Sequence, residues 1–367
     1  MSGGFYGDEQ VRALKAKVDL VQLVGEYTAL KKAGSDFVGC CCFHQERTPS
    51  MHVYPDESRF HCFGCGAHGD AFELVQQKER CDFREAVEFL ARRVGVTLVP
   101  VRGGASAPVR AQREQLLHAM AWSTRWHQDQ LWSPAGRAAL DYLHGRGFTD
   151  DTIKHFRLGW SPGRGELIKA ARAIQLPIEH LVAVNLATDN GDRVTDRFFE
   201  RVMFPICDRF SQPIAFSGRL LPEAEQRMKA EGKGVGKYIN STDTPLYHKG
   251  SVIWNLDLAK AAARTTDRIL LMEGPTDVMA AHQAGISECV ACLGTALTVD
   301  QCHLLSRTVG PDGKILLVFD GDKPGIAAAS KAVRTGLAAG VLVHVVTIPD
   351  GLDIAELLTA DQTGSAA

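Results

Sequence analysis

From Arg268 onward the chain keeps one rhythm: a short apolar run, then a segment of helical periodicity. RILLM precedes VMAAHQAG, CVACLG precedes VDQCHLLSRT, KILLVFD precedes GIAAASKAVRTGLAAG, and VHVVTIP precedes IAELLTA. Strands separated by helices cannot pair as tight hairpins, so the alternation predicts a mostly parallel sheet with helices on its faces. Acids follow directly on two of the runs: Glu273 after Met272, and Asp320 and Asp322 after KILLVF. Parallel strands all end on one side, so these carboxylates are expected in the crevice where open α/β sheets place ligands. Crowded carboxylates repel one another unless a divalent cation sits among them, and hard oxygen donors suit Mg²⁺ or Mn²⁺. A cation held this way is what phosphoryl transfer needs. Gly274 and Gly321 let the backbone turn sharply at the strand ends. Asp277, at the start of the next helix, either supports a metal or caps that helix.

A second cluster lies near the N-terminus. Cys41-x₂-His44 is followed, after 17 intervening residues, by Cys62-x₂-Cys65. Three thiolates and an imidazole, set as two knuckles across a loop, make a tetrahedral Zn²⁺ site filled by protein, hence one structural zinc. Cys41 is chosen over its neighbours Cys40 and Cys42 because its x₂ spacing to His44 matches that of Cys62 to Cys65. His61 and His68 are expected as hydrogen-bonding neighbours, and Phe60 and Phe63 as packing residues of the small core. Cys289 and Cys292 repeat the CxxC spacing without a second pair nearby, and are read as core thiols.

The net charge of −2 hides a division. Residues 1–100 hold 12 Lys and Arg against 14 Asp and Glu; residues 101–265 hold 23 against 17; residues 266–367 hold 6 against 12. A basic middle beside an acidic C-terminal third fits a phosphate-binding groove next to a cation site. No basic n-region with an apolar h-region opens the chain, and no apolar run reaches the roughly 20 residues of a membrane span. The cytoplasm is the expected compartment, where ten cysteines speak for metal binding or buried thiols before disulfides.

The remaining segments place these motifs. Helical periodicity runs from Glu9 to Val24, from Asp82 to Val94 and from Gln112 to Trp132. PVRGGASAPV, residues 100–109, reads as a linker. Thr149 is a plausible N-cap. Residues 198–220 alternate as antiparallel strands do, and Pro222 to Gly236, PEAEQRMKAEGKGVG, reads as an exposed charged excursion.

With both sites read together, the chain resembles the bacterial DNA primases of the DnaG type over nearly its whole length. CCCFHQERTPSMHV and HCFGCGAHGDAFELV resemble the family's zinc-binding domain. YLHGRGFTDDTIKHFRLGWSP, RVMFPICDRFSQPIAFSGRLL and KYINSTDTPLYHKG resemble the first half of its RNA polymerase core. EGPTDVMAAHQAGI, CLGTALT and FDGDKPG resemble its Toprim domain. The resemblance implies an α/β multidomain chain. A small zinc-ribbon-like domain spans 1–100, a linker 101–113, an α+β basic subdomain 114–265, and a Rossmann-like Toprim subdomain with a mostly parallel sheet 266–360.

It implies further that Glu273, Asp320 and Asp322 are catalytic, with Glu273 as metal ligand or general base for a primer 3′-hydroxyl. Two or more Mg²⁺ or Mn²⁺ ions would be held by these three with Asp277 and Asp353. It places Arg146, Arg197, Arg201, Arg219, Lys237, Tyr238, Asn240, Ser241 and Lys249 against template and nucleotide. The partners implied are single-stranded DNA and ribonucleoside triphosphates, and a monomer is expected. A replicative helicase stays an open partner, because the family's helicase-binding domain has no counterpart here.

The sequence also departs from the family pattern. After the last strand two aspartates are expected one residue apart; PDGLDIAELL offers Asp353 but puts Ala355 in the second place. Either Glu356 or Asp350 substitutes, or the cluster is one carboxylate poorer. Cys42 replaces a proline of the first knuckle, and the Pro222–Gly236 excursion separates motifs that usually lie closer. A Toprim topoisomerase is disfavoured, since the last of six tyrosines, Tyr247, precedes the Toprim segment. The competing reading is a truncated or degenerate relative that binds single-stranded DNA without synthesis.

Overall fold

The computed structural model describes residues 6–99, 107–232, 234, 236–294, 296–346 and 348. The chain divides into two compact units, Met1–Arg110 and Ala111–Ala367.

In the first unit the expected helix from Glu9 to Val24 is two helices, α1 (Asp8–Lys17) and α2 (Leu20–Gly25). Val18 is extended, and the Asp19 side chain caps α2 by accepting from the Gln22 N–H, so the local Asx preference overrides the periodicity. Five strands follow: β1 (Leu30–Ala33), β2 (Asp36–Gly39), β3 (Met51–Tyr54), β4 (Arg59–Cys62) and β5 (His68–Gly69). They form an antiparallel sheet in sequential order. Alternation puts Met51, Val53, Phe60 and Cys62 on the inner face, all fully buried. Burying Phe60 contributes roughly 1.5–3 kcal/mol.

The same hydrophobic core takes in Leu23 and Val24 of α2, Phe72 and Val75 of α3 (Ala71–Glu79), and Leu90 of α4 (Phe83–Arg93). Capping boxes open both later helices, Asp70 with Glu73 and Asp82 with Glu85. Phe63 departs from expectation. It is 66% exposed and sits edge-on to His61 and His52 outside the core, because a residue in the knuckle turn has no inward face to occupy.

The second unit opens within α5 (Ala107–Leu131), which begins inside the stretch read as linker, and α6 (Arg137–Gly145) and α7 (Asp150–His155) follow it. Thr149 caps α7 as expected, accepting from the Thr152 N–H. Next come β6 (Gly159–Ser161), α8 (Glu166–Ala173), α9 (Ile178–Ala183), β7 (Ala187–Asp189), β8 (Val194–Asp196), β9 (Arg201–Cys207) and β10 (Pro213–Leu220). The expected charged excursion contains a helix, α10 (Pro222–Ala230), before β11 (Tyr238–Asn240). Ala224 and Met228, four residues apart on one face of α10, are buried, which gives a mostly charged segment its footing. Strands β11, β10, β9 and β6 form an antiparallel sheet in that order.

After α11 (Leu256–Thr266) the predicted alternation appears: β12 (Arg268–Met272), α12 (Pro275–Gln283), β13 (Cys289–Ala291), α13 (Val299–Val309), β14 (Lys314–Val318), α14 (Lys323–Ala338) and β15 (Val343–Val346). These four strands are parallel, in the order β13, β12, β14, β15. The chain steps to one side of β12 to make β13 and to the other to make β14, so the order reverses beside β12. Trp254 joins the two sheets. Its backbone bridges Ala291 of β13, and its indole Nε1 donates to the Pro205 carbonyl of β9 at 2.9 Å. Cys289 and Cys292 are core thiols, 0% and 6% exposed. Among the described residues, no helix is long and apolar enough to cross a membrane.

Candidate functional site

Cys41, His44, Cys62 and Cys65 come together in the first unit, one donor atom from each lying within 4.8 Å of the others. Donors around a tetrahedral zinc with Zn–S of about 2.3 Å stand about 3.8 Å apart. Cys41 Sγ is 3.8 Å from Cys65 Sγ, and Cys62 Sγ is 3.8 Å from His44 Nδ1, so the quartet fits the ion. Backbone N–H groups of Phe43, Gly64 and Cys65 point at the sulfurs of Cys41 and Cys62. Burial pushes the Cys41 thiol up to about 12, whereas at Cys62, against the opposing effect of burial, the Ser50 hydroxyl and the Cys65 N–H hold the thiol down to about 6. Thiolate is the form a metal takes.

Glu46, which no spacing rule marks, completes the arrangement. Its carboxylate lies 3.2 Å from His44 Nε2 and accepts from the Ser50 hydroxyl and the Cys41 N–H. A carboxylate on the second ring nitrogen fixes the tautomer that leaves Nδ1 for the metal.

In the second unit the three acids stand where the sequence placed them, past the carboxyl ends of β12 and β14, which are neighbours in the sheet. Glu273 Oε1 accepts from the Asp320 N–H at 3.2 Å. Gly325, in the first turn of α14, closes the floor: a Cβ there would stand 2.2 Å from the Asp320 carbonyl and 2.9 Å from Glu273 Oε1. Burial, then the charges of Asp320 and Asp322, push the Glu273 carboxyl above the usual carboxylate range. Negative charge is thus in excess here, and the donors are all hard oxygens, which fits a divalent cation.

The acids are gathered without converging on one point. Among the described residues the Cys/His quartet is the one group of three or more donors within 4.8 Å. Asp322 also caps α14 through the Gly325 N–H at 2.8 Å, and Asp277 accepts from the Gly274 N–H at 2.9 Å, a capping contact at the start of α12. Asp353, with Asp350, Ala355 and Glu356, lies outside the described residues.

The basic set divides in two. Arg146 and Lys237 are exposed, while Arg197 and Lys249 are half-buried. Arg201 turns inward instead: it is 1% exposed, and its guanidinium donates to the carbonyls of Gly218, Lys237 and Gly236. Arg219 is 5% exposed and lies over the rings of Tyr142 and Tyr238. Ser241 is 2% exposed, and its hydroxyl accepts from the Phe216 N–H of β10. These three side chains are turned into the domain. At the start of one strand, at the end of the next and just past a third, their side chains meet the neighbouring backbone before they meet solvent.

Tyr238 and Asn240, two residues apart on β11, both reach the parallel-sheet domain. Tyr238 bonds to Thr276 at the start of α12, and Asn240 Nδ2 donates to the Leu293 carbonyl beyond β13 at 2.9 Å.

Three family descriptions match the chain in order: a CHC2 zinc finger over residues 6–104, the DNA primase catalytic core N-terminal domain over 126–260, and a Toprim-like domain over 270–358. The crystal structure of the Aquifex aeolicus primase, comprising zinc-binding and RNA polymerase domains, superposes with a TM-score of 0.62 at 31% identity, covering 95% of this chain and 82% of that one. The chain belongs to the DnaG-type primases.

A structure of a DnaG primase catalytic domain bound to single-stranded DNA is similar too, with a TM-score of 0.59 at 32% identity over 70% of this chain and 78% of that one. The DNA primase of Geobacillus stearothermophilus is 37% identical over 356 residues, which is 94% of this chain and 57% of the relative. The chain therefore spans little more than half the length of that primase. Its Cys-His-Cys-Cys quartet agrees with the CHC2 description of the family's zinc finger.

Proposed function

We propose that the chain is a template-directed RNA polymerase, a nucleotidyltransferase that makes short RNA primers on single-stranded DNA for replication in the cytoplasm. The reading is carried by Glu273, Asp320 and Asp322 at adjoining strand ends, in a fold shared with the primase catalytic core. In the reaction a 3′-oxygen bonds to the α-phosphorus of a ribonucleoside triphosphate. The bond from that phosphorus to the bridging oxygen breaks, and pyrophosphate leaves. Mg²⁺ or Mn²⁺, when bound, makes the attacking hydroxyl more acidic and neutralises charge on the leaving group.

The chain's own groups supply the geometry. Asp320 and Asp322 offer oxygens from the loop between β14 and α14. Glu273, kept basic for a carboxylate by burial and its two neighbours, is suited to hold the cation or to take the hydroxyl proton. Arg146, Arg197, Lys237 and Lys249 supply positive charge for template and triphosphate, and such contacts are largely indifferent to sequence. The zinc-binding domain would hold template.

The test is primer synthesis by the purified protein on single-stranded DNA with four ribonucleotides and Mg²⁺. Short RNA that Glu273→Gln abolishes is the expected result. DNA binding without any metal-dependent synthesis in the parent protein would sink the proposal in favour of a binding-only relative.

A further inference from the structure

Helix α10 is carried by a hairpin. Its two legs are β10 and β11, paired in the register Ser217 to Asn240, Gly218 to Ile239 and Arg219 to Tyr238. Arg219 ends one leg, and Lys237 immediately precedes the other, so the connection brings two cations to the foot of the helix. From the first turn of α10, Glu225 comes back onto this foot. Its carboxylate lies 3.6 Å from Arg219 Nη1 and 2.8 Å from Lys229 Nζ, one helical turn on. The hydrogen bond to Lys229, then the fields of Lys229, Arg219 and Lys237, hold the Glu225 carboxyl below the usual range. One carboxylate is therefore set among three cations.

The Glu225–Arg219 contact is looser than a charge-assisted hydrogen bond of about 2.7–2.9 Å, and a phosphate group with several free oxygens can better it. The contacts that hold the helix can be named. Leu221 gives it no side-chain cap, Ala224 and Met228 are its buried residues, and an ion pair from Arg227 to Glu200 ties its outer side.

We propose that Glu225 is a built-in competitor for phosphates at Lys237 and at Arg219, a buried guanidinium that the carboxylate lies against and that also donates to the Leu220 carbonyl, and so sets how tightly the chain grips a phosphate backbone. The inference rests on the primase reading for its ligand, but it concerns binding and not synthesis. A phosphate entering this foot displaces the carboxylate, and the affinity observed is the difference between the two anions.

Two probes test this on the full chain by direct binding: a fluorescein-labelled oligothymidylate for the DNA backbone, and inorganic tripolyphosphate for a nucleotide's tail. Glu225→Gln is compared with Glu223→Gln, which changes net charge equally at an exposed position of the same helix. Glu225→Gln is expected to bind at least one probe about two- to fivefold tighter than Glu223→Gln does, in keeping with the modest strength of a single ion pair. For oligothymidylate the slope of log K against log salt should steepen by about 0.7 for each cation set free.

Equal affinity in the two variants overturns the proposal. Should Glu225→Gln lower the melting temperature sharply, a shortened hairpin with Asn-Gly in place of residues 222–235 gives the same reading. It should bind tighter than the parent, and no gain there overturns the idea as well. If the parent and every variant bind neither probe, the assignment of this region to phosphate falls with it, an outcome separable from loss of synthesis alone.

Discussion

Asn240 donates its side-chain amide to the Leu293 carbonyl, 2.9 Å away, and so fastens the last residue of β11 to the loop that follows β13. Leu293 has a φ of 56°, and Gly294 one of 69°, so the loop leaves the sheet through two successive left-handed residues. A leucine rarely adopts that conformation unaided. The Arg197 guanidinium holds the Asn240 carbonyl in turn, at 3.1 Å. Loss of a half-buried hydrogen bond of this kind costs about 1–2 kcal/mol. Asn240→Ala is accordingly expected to lower kcat of primer synthesis by roughly tenfold, with a smaller change in oligothymidylate affinity. An unchanged kcat would show that the loop holds its shape without the tether.

The zinc site makes a prediction about residues that are neighbours in sequence. Cys42→Ser should keep one zinc per chain, and Cys41→Ser should lose it, as measured by metal content after gel filtration. Glu46→Gln keeps all four ligands but weakens the support of His44, so zinc affinity should fall about 10- to 100-fold in chelator competition. A Glu46 variant with parental affinity would leave that carboxylate a purely local brace for Ser50 and Cys41.

Glu273 should destabilise the metal-free protein at neutral pH. Its folded-state value is raised, chiefly by burial and then by Asp320 and Asp322, so the native state gives up this proton less readily than the unfolded chain does. Stability is lost as pH rises through the unfolded value toward the folded one, and above both the ionised carboxylate opposes folding. Glu273→Gln should therefore raise Tm at pH 7 without metal, and the advantage should vanish below about pH 4, where a glutamate is protonated in both states. Added Mg²⁺ should stabilise the parent and not the variant.

His127 gives the opposite slope. It is 1% exposed, and burial lowers its value from 6.5 to about 3. Gly159 opposite it is obligatory, because a Cβ there would approach His127 Cβ to 2.5 Å. Below pH 6.5 the unfolded chain takes up a proton that the native state refuses. Stability then falls as pH drops, by about 1.4 kcal/mol per unit, until the folded value is reached. Urea unfolding of the parent and of His127→Phe between pH 7 and pH 4 should differ by this slope, and parallel curves would refute it.

The parts of the chain legible in sequence share one property: their signal is local. Five-residue strands such as RILLM and KILLV carry their own periodicity, and the acids after them need only the rule that parallel strands end together. The zinc knuckles are legible from spacing for the same reason. What was not legible depends on neighbours distant in sequence. Arg201 reads as a surface cation until β10 and the turn at residues 236–237 close around it, and Ser241 reads as a polar motif residue until its hydroxyl meets Phe216. Glu46 is the exception: it stands two residues from His44, but no spacing rule marks a supporting carboxylate. Helix α10 was hidden by its own charges, since only Ala224 and Met228 face inward.

The hairpin beneath α10 has an evolutionary corollary. Its legs are locked in register from Ser217 to Asn240 through Arg219 to Tyr238, so the stretch between them can be exchanged without disturbing either strand. Long insertions at such a position add little loop-closure entropy. On the reading proposed above, the strength of phosphate binding is inherited as a cassette, separate from the acids assigned to the chemistry. A lineage, or an engineer, can retune one while leaving the other alone.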